Sequence, residues 1–152
     1  MAVASISTSA FAMEKITLPL LPPVKAVNNN TLPDYAGKPI LVVFWAVWCA
    51  PCMAELKDVE KFYQEKEIAV VGISVESPQK KAENFLKRVG ITFDNFLDEN
   101  SAFADNVQIT GVPTLLILDK HGNTIWMKSG YSTFPEKELR GAIQKIKLIK
   151  KE

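Results

Sequence analysis

Cys49 and Cys52 are the only cysteines in this chain, and they stand three residues apart in the stretch Phe44-Trp45-Ala46-Val47-Trp48-Cys49-Ala50-Pro51-Cys52. Two thiols at that spacing form a dithiol/disulfide couple. One sulfur attacks a partner's disulfide, and the second displaces the captured partner. The attacking species is the thiolate, so the chemistry depends on what lowers a thiol's pKa. Ahead of the pair, Pro39-Ile40-Leu41-Val42-Val43-Phe44 is continuously apolar and rich in β-branched residues, the pattern of a strand buried on both faces. Behind it, residues 53–63 read as a helix with Leu56, Val59 and Tyr63 at helical spacing. The cysteines therefore fall where a strand feeds a helix N-terminus, and unpaired N–H groups and the positive end of the helix dipole stabilise a thiolate on Cys49. Pro51 suits the first helical turn, where its missing N–H costs nothing.

On this reading Cys49 is the exposed nucleophile, and Cys52, one turn into the helix and partly buried, is the resolving thiol. Ala50 supplies no polar side chain between them. Glu55 follows Cys52 by three residues, on nearly the same helical face. A carboxylate tucked beneath the cysteines has a raised pKa and can exchange a proton with Cys52. The plainer alternative is an acidic residue in a helix's first turns that offsets the dipole.

Other uses of two cysteines remain in view. Zinc takes four ligands, and the single histidine, His121, lies far off in a turn-like segment. A purely structural bridge at this spacing would close a very small loop and restrict the unfolded chain little. Soft thiolates suit Cu(I), which would make the chain a copper-binding assembly factor, although the motif has no histidine nearby.

Trp48-Cys49-Ala50-Pro51-Cys52 after a buried strand, with Gly111-Val112-Pro113-Thr114 roughly sixty residues later, resembles the thioredoxin superfamily. Within it, the chain is most similar to the extracytoplasmic TlpA/ResA-type thiol–disulfide oxidoreductases, over about residues 20–148. The resemblance implies an α/β, thioredoxin-like fold: a central mixed sheet flanked by helices, with an N-terminal β extension and a βα insertion. It implies a reductant of protein disulfides outside the cytoplasm, in the bacterial periplasm, acting on apocytochrome c or on the copper-site cysteines of an oxidase. It further implies re-reduction by a membrane thiol–disulfide electron donor, a monomeric state, and no cofactor or metal beyond the Cys49–Cys52 disulfide. Rivals of the same superfold are a disulfide-forming oxidant, whose large helical insertion has no room here, and a peroxidase, whose Thr/Arg setting is missing.

The same resemblance assigns further residues. Glu55 matches the active-site glutamate of the TlpA/ResA type. Pro113 follows a cis bond, covers the thiols against metals, and turns the Val112 N–H and C=O towards an extended substrate that pairs like an added strand. Trp48, Val112, Pro113 and Gly130 form a rim around Cys49, with Gly130 leaving room for close approach; Trp45 belongs to the core. Two positions depart from the pattern. Val43 stands where thioredoxins carry a buried Asp, which leaves Glu55 as the one nearby carboxylate. Lys57 replaces a helix-kinking proline, so the helix is expected to run straighter.

The remaining elements position this site. Residues 68–75 form a second buried strand, joined to the first by a right-handed parallel crossover. Ser77-Pro78 opens a helix with Ala82, Phe85, Leu86 and Val89 inward and Gly90 as its stop. Residues 93–97 read as a short strand and 99–105 as a short helix, then 115–118 and 124–127 as an antiparallel hairpin with His121 in its turn. Residues 135–149 form the closing helix on Leu139, Ala142, Ile143, Ile146 and Ile149. At the other end, residues 24–27 suggest a short edge strand in an N-terminal hairpin region, with Asn28-Asn29-Asn30 as a turn.

At 152 residues, 47% hydrophobic and with a formal charge of +1, the composition fits one domain over residues 14–152 with a sizeable core, and shows no basic excess for nucleic acid. No apolar run reaches bilayer length. Residues 1–13 end in Ala10-Phe11-Ala12, a small-x-small junction of the kind cleaved in secretory signals, but they hold no Lys or Arg. They read as the remnant of a trimmed signal, cleaved near Ala12, or as a flexible tail.

Overall fold

The organising element is the strand ahead of the cysteines, whose six residues Ile40–Trp45 are each no more than 1% exposed. Burying one such side chain contributes about 1.5–3 kcal/mol, which is what commits so apolar a run to the middle of a sheet. The structure, a computed structural model, describes residues 15–25 and 30–149. The signal-like residues 1–13, residues 26–29 of the expected edge strand and turn, and the side chains of Lys25 and Ile149 lie outside what is described.

The chain runs β1 (Pro23–Lys25), a 3-10 turn (Leu32–Tyr35), β2 (Ile40–Trp45), α1 (Ala50–Gln64), β3 (Ala69–Val75) and α2 (Gln79–Val89). It continues through β4 (Asp94–Asp98), α3 (Ala102–Asn106), β5 (Thr114–Leu118), β6 (Thr124–Ser129) and α4 (Glu136–Ile149). The strands form one mixed sheet in the order β1-β4-β3-β2-β5-β6. β2 pairs in parallel with β3, and β3 with β4, through the α1 and α2 crossovers; β5 lies antiparallel to β2, and β6 to β5. This is the expected mixed sheet with flanking helices. The N-terminal extension differs in detail: among the described residues it is a single three-residue strand antiparallel to β4, not a hairpin of its own.

Gly72 is a glycine because β3 crosses a polar bridge. The Trp45 indole N–H donates to Asn95 Oδ1 at 2.8 Å, and Asn95 Nδ2 donates to the Phe93 carbonyl at 3.0 Å. Asn95 faces Gly72 across the β3–β4 ladder. Trp45, fully buried, also stacks on Phe85 of α2 at 5.1 Å. The expectation that Trp45 is core rather than rim holds.

Helix ends follow local chemistry. Gly90 closes α2 in the left-handed region at φ +83° and donates its N–H to the Leu86 carbonyl. The expected helix at 99–105 starts later, because the buried Asp98 carboxylate accepts the N–H groups of Phe103 (3.1 Å) and Ala104 (2.8 Å) and fixes its first turn there. α1 runs unbroken through Lys57, as the missing proline predicts, and buries Phe62 where Tyr63 was expected to be the inward aromatic.

Candidate active site

α1 begins at the cysteines. Cys49 is its N-cap, with extended backbone at φ −95° and ψ 102°, and the Cys52 N–H returns to the Cys49 carbonyl at 3.2 Å. Cys49 thus sits at the positive end of the helix, the place that favours a thiolate. The two sulfurs are bonded, with an S–S distance of 2.13 Å and 5.4 Å between Cα atoms. Cys49, expected to be exposed, is only 5% exposed, and Cys52, expected to be partly buried, is fully covered. The disulfide ties Cys49 to a partner inside the core, so access to the pair is narrow and lies wholly on the Cys49 side.

The loop carrying the cysteines is held from β3. The Val47 N–H donates to Ser77 Oγ at 3.1 Å, and that hydroxyl donates to the Val75 carbonyl at 3.0 Å. Trp48, one residue on, stands 62% exposed. Opposite it comes the loop before β5, where the Val112–Pro113 peptide is cis and the Thr114 hydroxyl donates to the Gly111 carbonyl at 2.7 Å. Trp48 and Val112 share the wall of an open cavity of about 230 Å³, together with Val75, Glu76, Ala104 and Ile109. Pro113 is buried, and its carbonyl accepts the Gly130 N–H at 2.8 Å, so these two residues are directly joined. Gly130 has its own reason to be glycine: φ +79°, with no other described residue within 4 Å of an added Cβ.

Glu55 is completely buried, and among the described residues neither carboxylate oxygen has a hydrogen-bond donor. Burial pushes its carboxyl above the ordinary carboxylate range. The opposing influence is a residue that motif reasoning passed over: Lys128 of β6, whose Nζ lies 3.6 Å from Glu55 Oε1. That separation is an ion pair rather than a hydrogen bond. Asp58, one turn further along α1, pushes the Glu55 carboxyl further up, so Glu55 is not the only carboxylate acting here. Tyr131 completes the group, its hydroxyl shifted upwards by desolvation and then by the charges of Asp58 and Glu55. Val43, at the position of the thioredoxin Asp, is fully buried.

The signal for Lys128 was present as a period of two. Along β6, Thr124 is buried, Trp126 and Lys128 are half-buried, and the residues between them are exposed, which makes Lys128 an inward-facing charge. Among the described residues, no group of three or more His, Cys, Asp or Glu side chains could hold a metal ion. His121 lies exposed in the β5–β6 turn, its backbone N–H bonded to Asp119 Oδ1.

The Redoxin family profile matches residues 15–143. Thiol-disulfide oxidoreductase ResA of Geobacillus thermodenitrificans is 27% identical over 123 residues, spanning 79% of this chain and 70% of that protein. The thioredoxin-like protein YneN of Bacillus subtilis is 35% identical over 100 residues, 62% of this chain and 58% of that one. Among solved structures, a DsbF homologue from Corynebacterium diphtheriae superposes with a TM-score of 0.70 at 26% identity, covering 86% of this chain and 85% of that chain. StoA from Bacillus subtilis shares the fold at a TM-score of 0.70 and 23% identity, over 84% and 96% of the two chains. With a disulfide at the mouth of α1 and a mixed six-stranded sheet behind it, the chain belongs to the Redoxin family, as a TlpA/ResA-like thiol–disulfide oxidoreductase of the thioredoxin superfamily.

Proposed function

We propose that this enzyme reduces disulfides of protein substrates outside the cytoplasm, with Cys49 as nucleophile, Cys52 as resolving thiol and Glu55 as the group that takes the Cys52 proton. The observation that carries the reading is the one-sided access of the Cys49–Cys52 disulfide, with Cys49 capping α1 and a covered Glu55 three residues beyond Cys52. In the reduced enzyme the Cys49 thiolate attacks one sulfur of a substrate disulfide. The substrate's other sulfur leaves as a thiolate and takes a proton from water. The Glu55 carboxylate then accepts the Cys52 proton, and the Cys52 thiolate attacks Cys49 Sγ. The substrate's remaining sulfur leaves Cys49 as a thiolate and takes a proton from water, and the bond between Cys49 and Cys52 closes. Two electrons pass from the enzyme dithiol to the substrate, so a membrane thiol–disulfide donor must return them before the next cycle.

The substrate binds on this reading across Trp48, Val112, Pro113 and Gly130, with its backbone laid against Val112. By resemblance to the ResA-type relatives, the substrates are apocytochrome c or the copper-site cysteines of an oxidase, and the compartment is the bacterial periplasm. The protein acts as one folded domain over residues 14–152, and as a monomer.

The test is a pair of trapping variants. Cys52→Ser should accumulate mixed disulfides with a substrate protein, and Cys49→Ser should not. Equal trapping by both would remove the assignment of the nucleophile. The reduction potential of the pair sets the direction, since about 30 mV is tenfold in the equilibrium constant. A value far above that of the extracytoplasmic substrates would make the protein an oxidant instead.

A further inference from the structure

We propose that Lys128 is the positioning residue of the proton transfer, a fixed counter-charge that keeps the buried Glu55 able to exist as the carboxylate that accepts the Cys52 proton. The proposal rests on the reading of Glu55 given above and adds the group that makes that reading physically workable.

A carboxyl with no exposure and no donor to either oxygen is driven to its neutral form, and a neutral carboxylic acid cannot take a proton from a thiol. Both Glu55 oxygens lack donors, which leaves their lone pairs open to receive a proton but gives the charge no hydrogen-bond support. The compensating charge is one ammonium 3.6 Å away, on a side chain only 16% exposed. Its place is over-determined. Nζ donates to the Gly130 carbonyl at 2.8 Å and lies 5.5 Å from the centre of the Tyr131 ring, while β6 pairs Lys128 with Leu115 of β5. Among the described residues, the charged and titratable groups whose fields act on this pocket are Asp58 on α1 itself, Lys128 from β6 and Tyr131 from the segment after β6. Lys128 is the cation of that set.

The arrangement also ties the proton site to the rim. The ammonium that faces Glu55 bonds Gly130, and Gly130 bonds Pro113. A chain of three contacts thus runs from the buried carboxyl to the loop proposed to hold substrate.

Lys128 has a plainer explanation, because β6 is an edge strand and an inward-pointing charge on an edge discourages pairing with other molecules. The experiment separates the two. The Glu55 side-chain carboxyl is followed by carbon-13 NMR across pH in the oxidised, full-length protein, for the natural sequence, Lys128→Met and Lys128→Arg. The resolving step of the reduced protein is timed over the same range. We expect Lys128→Met to move the Glu55 titration to higher pH and to slow resolution at neutral pH about tenfold. Lys128→Arg, which keeps the charge, should restore both. If Lys128→Met leaves the Glu55 titration in place, or changes only self-association, the proposal is overturned. Glu55→Gln tests the underlying reading separately. A flat response of the resolving step to that variant ends the proton-transfer role of Glu55, and with it the role of Lys128, even where the NMR titration has moved.

Discussion

A Cβ placed on Gly72 would stand 1.8 Å from Asn95 Oδ1, so the gap left by the glycine is filled by the side chain that binds the Trp45 indole. Gly72→Ala therefore forces apart a buried hydrogen-bonded pair. A loss of about 1–3 kcal/mol is expected, measured by urea unfolding of the oxidised protein. Asn95→Leu should cost a similar amount, because it leaves the Trp45 N–H unpaired in the core. A Gly72→Ala protein as stable as the natural one would mean that Asn95 is free to move.

Glu55 makes the fold less stable as pH rises. A carboxyl whose folded pKa is raised by burial binds more protons folded than unfolded, so stability falls as pH climbs from about 4.3, the unfolded value, towards the folded one. Below that window both states are protonated and the penalty vanishes. Glu55→Gln should remove this loss, so that its stability relative to the natural protein grows as pH climbs through the window, with the gain shrinking on acidification. Thermal unfolding at several pH values checks this, and a gain that grew towards acid would contradict the burial-driven shift.

Ser77 bridges β3 to the cysteine loop through one hydroxyl, which accepts from Val47 and donates to Val75. Ser77→Ala should cost about 1 kcal/mol and loosen the segment that carries Trp48. Amide exchange at Val47 reads this directly. Protection that survived the substitution would show that the loop is held by other means.

Gly130 is constrained by backbone conformation rather than by space. Substitutions there should follow the tolerance of the left-handed region, with Gly130→Asn mild, Gly130→Ala costing about 1–2 kcal/mol and Gly130→Val worse. If Ala and Asn destabilise alike in thermal unfolding, a steric cause must replace the conformational one.

Much of this arrangement could be read from the chain before its coordinates. Apolar runs marked β2, β3 and β5, the Cys-x-x-Cys spacing marked the start of α1, and Gly111-Val112-Pro113-Thr114 marked the opposing loop, because each depends on local chemistry. What escaped was set by distance along the chain. Asn95 reads as a polar residue inside a short strand until Gly72 opens a place for it. Lys128 reads as one lysine among many until the alternation of β6 turns it inward, 73 positions after the glutamate it faces. The narrow access to Cys49 was also hidden, since a helix N-terminus says where a thiol sits but not what covers it.

The cysteine loop continues from β2 and the proline loop leads into β5, and those strands are laced together with Phe44 opposite Thr114 and Val42 opposite Leu116. The cysteine loop and the proline loop thus hang from one paired frame, and their relative placement follows the register of that ladder. A one-rung slip would turn every side chain of β5 to the opposite face. Exchanging residues that line the two loops therefore alters the surface beside the disulfide while leaving the ladder that spaces those loops untouched.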